Sequence, residues 1–235
     1  FPKECLLLNK AVSKIKWDGA FCGKEDRDEI LADHVIVTIS LGCLKAQAAT
    51  FFNPSLSAKK MESFDKLGFG NIGKIFLEYE NAFWENDVSH IKFICDDDSG
   101  LYEYMKMNIY KRNMLILSLS LSLSLSLSLS LGNPHIPPPK TVLCREWRNN
   151  CFTRGVCSFL PVGVDALDMD VLAQSLGFPM GTPVQTPILF AGEAAIKSLY
   201  GTVQGALISG HREAERLLKY NKVIIVQVCV LIHRI

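Results

Sequence analysis

The sequence predicts a mixed α/β fold of the α+β kind, and three observations predict it. Ala32 to Ser40 is a β-branched run long enough for a buried strand. Ile188-Leu189-Phe190 is a short apolar strand that stops at Gly192-Glu193 and leads through a polar loop into a helix. That helix carries Val203, Ala206, Leu207, Ala214, Leu217 and Leu218 at helical spacing. At 235 residues the chain is long enough to bury a core, in one large domain or two small ones.

Each element has its own local reason. Val12 to Trp17 alternates apolar and polar residues, as a half-buried strand does, and Asp18-Gly19 is a turn signal. Residues 1–45 therefore read as strands. Asn53-Pro54 opens a turn, and Ser57 is placed to cap a helix running to Leu67. A Gly-rich turn then enters the strand KIFLEYENAFW, with Ile75, Leu77 and Tyr79 on one face and Lys74, Phe76 and Glu78 on the other. A Pro-rich entry precedes a strand from Thr141 to Cys144, and Trp147 follows it. Leu167 to Leu176 reads as a short helix. Gly201 and Gly205 bracket the first turn of the closing helix. A helix start built of small residues leaves backbone N–H groups bare and lets a flat or anionic ligand approach.

Composition narrows the function classes. A net charge of +1 gives no broad basic field for nucleic acid and no acidic excess. The eight cysteines form no Cys-x-x-Cys pair, and no histidine stands at zinc-finger spacing from them. Buried thiols in a reducing compartment are expected, without a metal site. The chain starts without an initiator Met or a basic-then-apolar leader, so it reads as the interior of a longer protein. No membrane partner is expected, because the apolar tail from Val223 is too short to span a bilayer.

One stretch breaks the pattern. From Leu117 to Ser130 leucine and serine alternate strictly. A strand would put all Leu on one face and all Ser on the other. A translated CT dinucleotide repeat also alternates Leu and Ser. We therefore expect non-coding sequence read into the open frame, in place of part of a domain, with a packed strand or helix as the alternative.

Three blocks carry a resemblance: ADHVIVTISLGCLK, KIFLEYENAFW, and ILFAGEA with YGTVQGALISGHREAERLL. In wording and order they resemble the FAD-dependent polyamine oxidases, the spermine and N-acetylpolyamine oxidase branch of the flavin amine oxidases. The resemblance implies the two-domain fold of that family, with an FAD-binding domain and a sheet-and-helix substrate domain. It assigns 1–45 to the middle of the FAD-binding domain and 46–146 to the substrate domain, with an atypical insert at 95–131. Residues 147–219 become the closing segment of the FAD-binding domain, and 220–235 an apolar tail.

The resemblance also implies site residues. Val12 lies on the strand against the adenine of FAD. Gly192 and Glu193 meet its ribityl–phosphate part. Thr202 and Val203, at the helix start, direct N–H groups at the pyrimidine end of the isoalloxazine, where reduced flavin carries negative charge. Trp147 lies near the flavin. Lys74 is the implied catalytic residue, holding a water in front of flavin N5.

The implied reaction oxidises spermine, spermidine or their N-acetyl forms to an aldehyde, a shorter amine and hydrogen peroxide, with molecular oxygen as acceptor. Departures bear on it. The Gly-x-Gly-x-x-Gly βαβ unit that holds the FAD pyrophosphate is missing from this sequence. Ala195-Ile196 stand where relatives have Thr-His, and Gln204 where they often have His. The alternatives are a non-catalytic remnant of such a gene, or an amine oxidase acting on another secondary amine. A cytoplasmic location is expected, with the peroxisome possible for the family. His233-Arg234-Ile235 is not an address of the Ser-Lys-Leu kind.

Overall fold

Serines start the first two helices. Ser57 sits in extended backbone ahead of helix Ala58–Lys66, and its hydroxyl accepts from the Lys60 N–H at 3.3 Å, as the sequence predicts. Ser40 does the same for the Cys43 N–H at 3.2 Å and starts helix Leu41–Phe51. That helix corrects the reading of 1–45 as strands. The β-branched run ends as strand His34–Val37, and once Ser40 caps, the apolar residues that follow are used in a helix instead. The computed structural model describes residues 6–17, 21–23, 29–82, 84, 90–92, 106–109, 114–119, 137–177, 188–220 and 228–231. The turn predicted at Asp18-Gly19, the Leu-Ser tract from Ser120 onward and most of the tail lie outside them.

The chain divides into two compact units, one made of residues 1–70 and 151–235, the other of residues 71–150. In the first unit, strands β1 (Lys14–Lys16), β2 (Phe21–Gly23), β3 (Glu29–Leu31) and β5 (Phe52–Asn53) form a sheet in the order β3-β2-β1-β5. The β1–β5 pairing is parallel and the others are antiparallel. Ile15 is fully buried between exposed Lys14 and Lys16, which is the alternation the sequence shows. Burying such a side chain contributes about 1.5–3 kcal/mol.

A second sheet in this unit is parallel, with β4 (His34–Val37) between β13 (Ile188–Phe190) and β14 (Val228–Leu231). Ile188 stands opposite Val35 and Phe190 opposite Val37. All four are buried, as expected for parallel strands covered on both faces. A short antiparallel pair joins β6 (Gly68–Phe69) to β12 (Ser158–Phe159). Helices α1 (Leu41–Phe51), α2 (Ala58–Lys66), α3 (Leu167–Ala173) and α4 (Val203–Tyr220) complete the unit. Helix α3 ends before the predicted Leu176, because Leu176 turns extended and exchanges two backbone bonds with Ile188, at 2.8 and 3.0 Å. The core gathers Ile15, Val37, Leu44, Phe51, Phe64 and Phe190 from these elements.

The second unit is a five-stranded antiparallel sheet in the order β11-β7-β10-β9-β8. Its strands are β7 (Gly73–Glu78), β8 (His90–Lys92), β9 (Lys106–Ile109), β10 (Met114–Leu119) and β11 (Thr141–Glu146). The first three residues of the Leu-Ser alternation belong to β10, with Leu117 opposite Ile75 and Ser118 opposite Lys74. Leu77 and Tyr79 are buried, in keeping with the face the sequence assigns them.

Candidate cofactor site

Glu193 organises the end of the first unit where α4 begins. Its Oε2 accepts three hydrogen bonds: from Ser158 Oγ at 2.6 Å, Ser158 N at 3.2 Å and Gly201 N at 2.8 Å. Bonds to a carboxylate are stronger than neutral ones, so one oxygen fixes β12 and the loop before α4 together. Oε1 has no hydrogen-bond partner among the described residues.

Gly192 precedes it with φ +136°, a conformation L side chains rarely adopt, and a Cβ added there would meet nothing within 4 Å. Its N–H donates to Ser209 Oγ at 2.8 Å. The Ser209 hydroxyl directs its proton back at the carbonyls of Ala206 (2.7 Å) and Gly192 (3.0 Å). The turn at Gly192 is thereby held to the body of α4.

Thr202 is the N-cap of α4. Its Oγ1 accepts from Gly205 N at 3.0 Å and donates to Leu199 O at 2.7 Å, and its carbonyl accepts from Ala206 N at 3.2 Å. The N–H groups of Val203 and Gln204 have no partner among the described residues, and Val203 is 83% exposed. Bare N–H groups at the positive end of an 18-residue helix can receive an anionic or electron-rich ligand edge. Gly201 and Gly205 are small for a different reason from the one the sequence suggests. A Cβ on Gly205 would stand 2.1 Å from the Leu199 carbonyl oxygen, and one on Gly201 would stand 3.3 Å from the Ser158 oxygen. These glycines bring backbone to backbone.

The buried face of α4 also corrects the sequence reading. Val203, Leu207 and Leu218 are exposed, and Ser209, Glu213 and Leu217 are buried. Glu213 is fully buried because Arg212 and Arg216 flank it, Arg216 Nη1 donating to its Oε2 at 2.9 Å. Arg212 also donates to Ala195 O at 2.6 Å and Phe190 O at 2.9 Å, tying α4 to β13. Lys60 reaches the same interior. Burial pushes its ammonium down to about 7, with Glu213 opposing the shift and Arg216 adding to it.

Of the predicted residues, Gly192, Glu193, Thr202 and Val203 thus share one place. Val12 lies in the same unit, half-buried against the core just ahead of β1. Lys74 and Trp147 meet in the second unit: Lys74 Nζ stands 5.7 Å from the Trp147 ring centroid. Both are half-buried, with Lys74 on β7 opposite Arg145 of β11. Sequence reasoning passed over Ser158, Ser209, Lys60 and Glu213. The spacing of Gly205, Ser209, Glu213 and Leu217, one helical turn apart, is the signal that was available for the buried face.

A profile of the flavin containing amine oxidoreductase family matches residues 2–117 and 124–218. The chain belongs to this family. Peroxisomal N(1)-acetyl-spermine/spermidine oxidase of Homo sapiens is 37% identical over 268 residues, covering 92% of this chain and 51% of that protein. The Bos taurus protein of the same name is 35% identical over 92% of this chain and 51% of its own length. Lysine-specific histone demethylase 1 homolog 3 of Arabidopsis thaliana is 30% identical over 81% of this chain and 12% of its own length. The chain spans about half the length of the oxidases it matches. The alignment with the human oxidase runs over 268 positions, more than the 235 residues of this chain, so that relative holds residues with no counterpart here. Cyclohexylamine oxidase from Brevibacterium oxydans shares the fold at a TM-score of 0.63, with 16% identity, 94% of this chain covered and 51% of that one. Mixed helix and sheet is the architecture both sequence and structure give. No described helix is long and apolar enough to cross a membrane.

Proposed function

We propose that this chain is part of a flavin-dependent polyamine oxidase. It would take FAD as cofactor, molecular oxygen as acceptor, and spermine, spermidine or an N-acetyl form as substrate. The products are an aldehyde, a shorter amine and hydrogen peroxide. The observation that carries this reading is the start of α4, where the bare N–H groups of Val203 and Gln204 follow the Gly201 loop that Glu193 holds. Those residues fit a flat ring edge that gains negative charge on reduction. The relatives named as acetylpolyamine oxidases, at 35–37% identity, support the substrate class.

When bound, FAD supplies the two-electron chemistry. The chain's own residues orient and balance charge around it. Glu193 Oε1 remains available to a ribityl hydroxyl, while Oε2 holds the loop. Thr202 caps Gly205 and so leaves the outermost N–H groups to the ligand. Val12 lines the adenine end. Lys74, steadied over Trp147, holds a water and passes protons during reoxidation and imine hydrolysis. In this reading the first unit is the FAD-binding part and residues 71–150 the substrate part. The location is a reducing compartment, cytoplasm or peroxisome.

The test is to express the chain, load it with FAD, record the flavin bands in the visible spectrum and assay peroxide from N-acetylspermine and spermine. Yellow protein and amine-dependent peroxide support the reading. Colourless protein without peroxide supports the second one, a non-catalytic remnant. The exposed Leu207 and Leu218 on α4 favour that alternative, since neither belongs to the proposed cofactor site.

A further inference from the structure

We propose that Cys43 and Cys151 form a reversible disulfide when the protein meets hydrogen peroxide. The two residues belong to the same unit and stand in direct contact: Cys43 Sγ donates to the Cys151 carbonyl oxygen at 3.3 Å. The contact is part of a seam. Ser40 Oγ donates to Thr153 O at 2.6 Å, so residues 151–153 run along the first turn of α1. The Cβ of Cys151 is two bonds from the carbon of the carbonyl whose oxygen Cys43 contacts, so both side chains are rooted at one seam. The bond requires their Cα atoms to settle about 4.4–6.8 Å apart.

The two thiols differ in the way a reacting pair requires. Cys151 is exposed and meets the oxidant, while Cys43 is completely buried and does not. Burial pushes the Cys43 thiol up, against the Ser40 hydrogen bond and the Arg154 charge, which lower it, and with the Cys151 charge, which raises it. Cys43 thus waits as a thiol until an electrophile forms beside it.

In the first step the Cys151 thiolate attacks one peroxide oxygen. An S–O bond forms, the O–O bond breaks, and hydroxide leaves and takes up a proton as water. Cys151 has lost two electrons and is a sulfenic acid. In the second step the Cys43 sulfur attacks the Cys151 sulfur. An S–S bond forms, the S–O bond breaks, and the sulfenic oxygen leaves as water with the Cys43 proton. Peroxide is the sole oxidant, and the step does not depend on the proposed oxidase reaction, since the peroxide is added. The bond closes a covalent loop that contains all of residues 71–150.

The experiment uses the full chain, reduced, freed of reductant and titrated with hydrogen peroxide. Remaining thiols are alkylated under denaturing conditions, and the digest is read by mass spectrometry. The expected product is a Cys43–Cys151 peptide pair lighter than the two reduced peptides by two hydrogen atoms and lost on adding reductant. C151S abolishes it and returns Cys43 as an alkylated thiol. C43S leaves Cys151 with one added oxygen, trapped by a dimedone probe. Because Cys43 is a core residue, C151S, altered at the surface, carries the test where C43S does not fold. Cross-links from Cys151 to Cys144 or Cys157 overturn the proposal. So does Cys43 recovered as a thiol at peroxide levels that oxidise Cys151.

Discussion

Lys60 holds its ammonium 3.9 Å from the centroid of the Phe190 ring while giving its protons to the C-terminal end of another helix. Nζ donates to Val171 O at 3.1 Å, Leu172 O at 2.8 Å and Gln174 O at 2.5 Å. A cation at the C-terminus of α3, over an aromatic face, gains from the helix dipole and the ring quadrupole. Its cost is desolvation, for the residue is 2% exposed.

That balance predicts a pH dependence. The ammonium is pushed down to about 7 in the fold, and in the unfolded chain it titrates near the ordinary lysine value of 10.5. Between those limits the unfolded chain binds more protons, so stability rises with pH from about 7 to 10.5, by at most ~1.4 kcal/mol per pH unit. K60M removes the titrating group and flattens this part of the curve. Urea denaturation of both proteins across this range measures it. Parallel curves would show that Lys60 keeps its proton in the fold.

A second prediction concerns Glu193. E193A leaves the N–H groups of Ser158 and Gly201 and the Ser158 hydroxyl without their acceptor, and Ser158 is buried. The expected loss is ~2–4 kcal/mol of folding stability. E193Q keeps an acceptor oxygen but not its charge and is expected to lose ~1–2 kcal/mol. Denaturation midpoints without flavin give the structural part. Equal stability of E193A and the parent would remove Glu193 from the seam described.

Local chemistry was legible in the sequence and distributed chemistry was not. Ser57 could be read as a cap because the N-cap bond reaches only to Lys60. Ser40 makes the same bond, yet Ala32 to Ile39 is β-branched enough to hide where the strand stops. On α4 the apolar residues promised a core face. The buried side is instead the one with Ser209 and Glu213, because Gly192 and two arginines from the same helix satisfy them. Lys60 was invisible for a like reason. Its acceptors lie more than a hundred residues further along the chain, and nothing near it in sequence announces them. Gly192, Glu193, Thr202 and Val203 were found through a run of wording, and they do fall together. What Glu193 does with its Oε2, and why Gly205 is glycine, came only from the coordinates.

Gly205 supplies a prediction whose sign opposes helix propensity. In an exposed helix Gly→Ala gains about 1 kcal/mol. Here the new Cβ would lie 2.1 Å from the Leu199 carbonyl oxygen and 2.9 Å from the Ile196 Cγ2. Leu199 O is already fixed by the Thr202 hydroxyl at 2.7 Å, so it cannot move without breaking the cap. G205A is expected to lose ~1–3 kcal/mol net. G210A is the control, because a Cβ there meets nothing within 4 Å. Thermal melts of the pair should move in opposite directions, G205A down and G210A up.

The last prediction tests Lys74 as a proton carrier. Its ammonium stands 5.7 Å from the Trp147 centroid and has no ion-pair partner among the described residues, so the side chain is steered by the ring. A group of that kind can hold a water and still change partners during turnover. In the flavin-loaded protein K74M is expected to slow reoxidation by molecular oxygen about 10²–10⁴-fold. Flavin content and the rate of flavin reduction by the amine should change far less, because a proton carrier for reoxidation would act after the substrate has given up its hydride. Stopped-flow absorbance separates the two half-reactions. Equal slowing of both would mean that Lys74 serves to place the substrate. Unchanged rates in both would leave Lys74 as a sheet residue packed on Trp147.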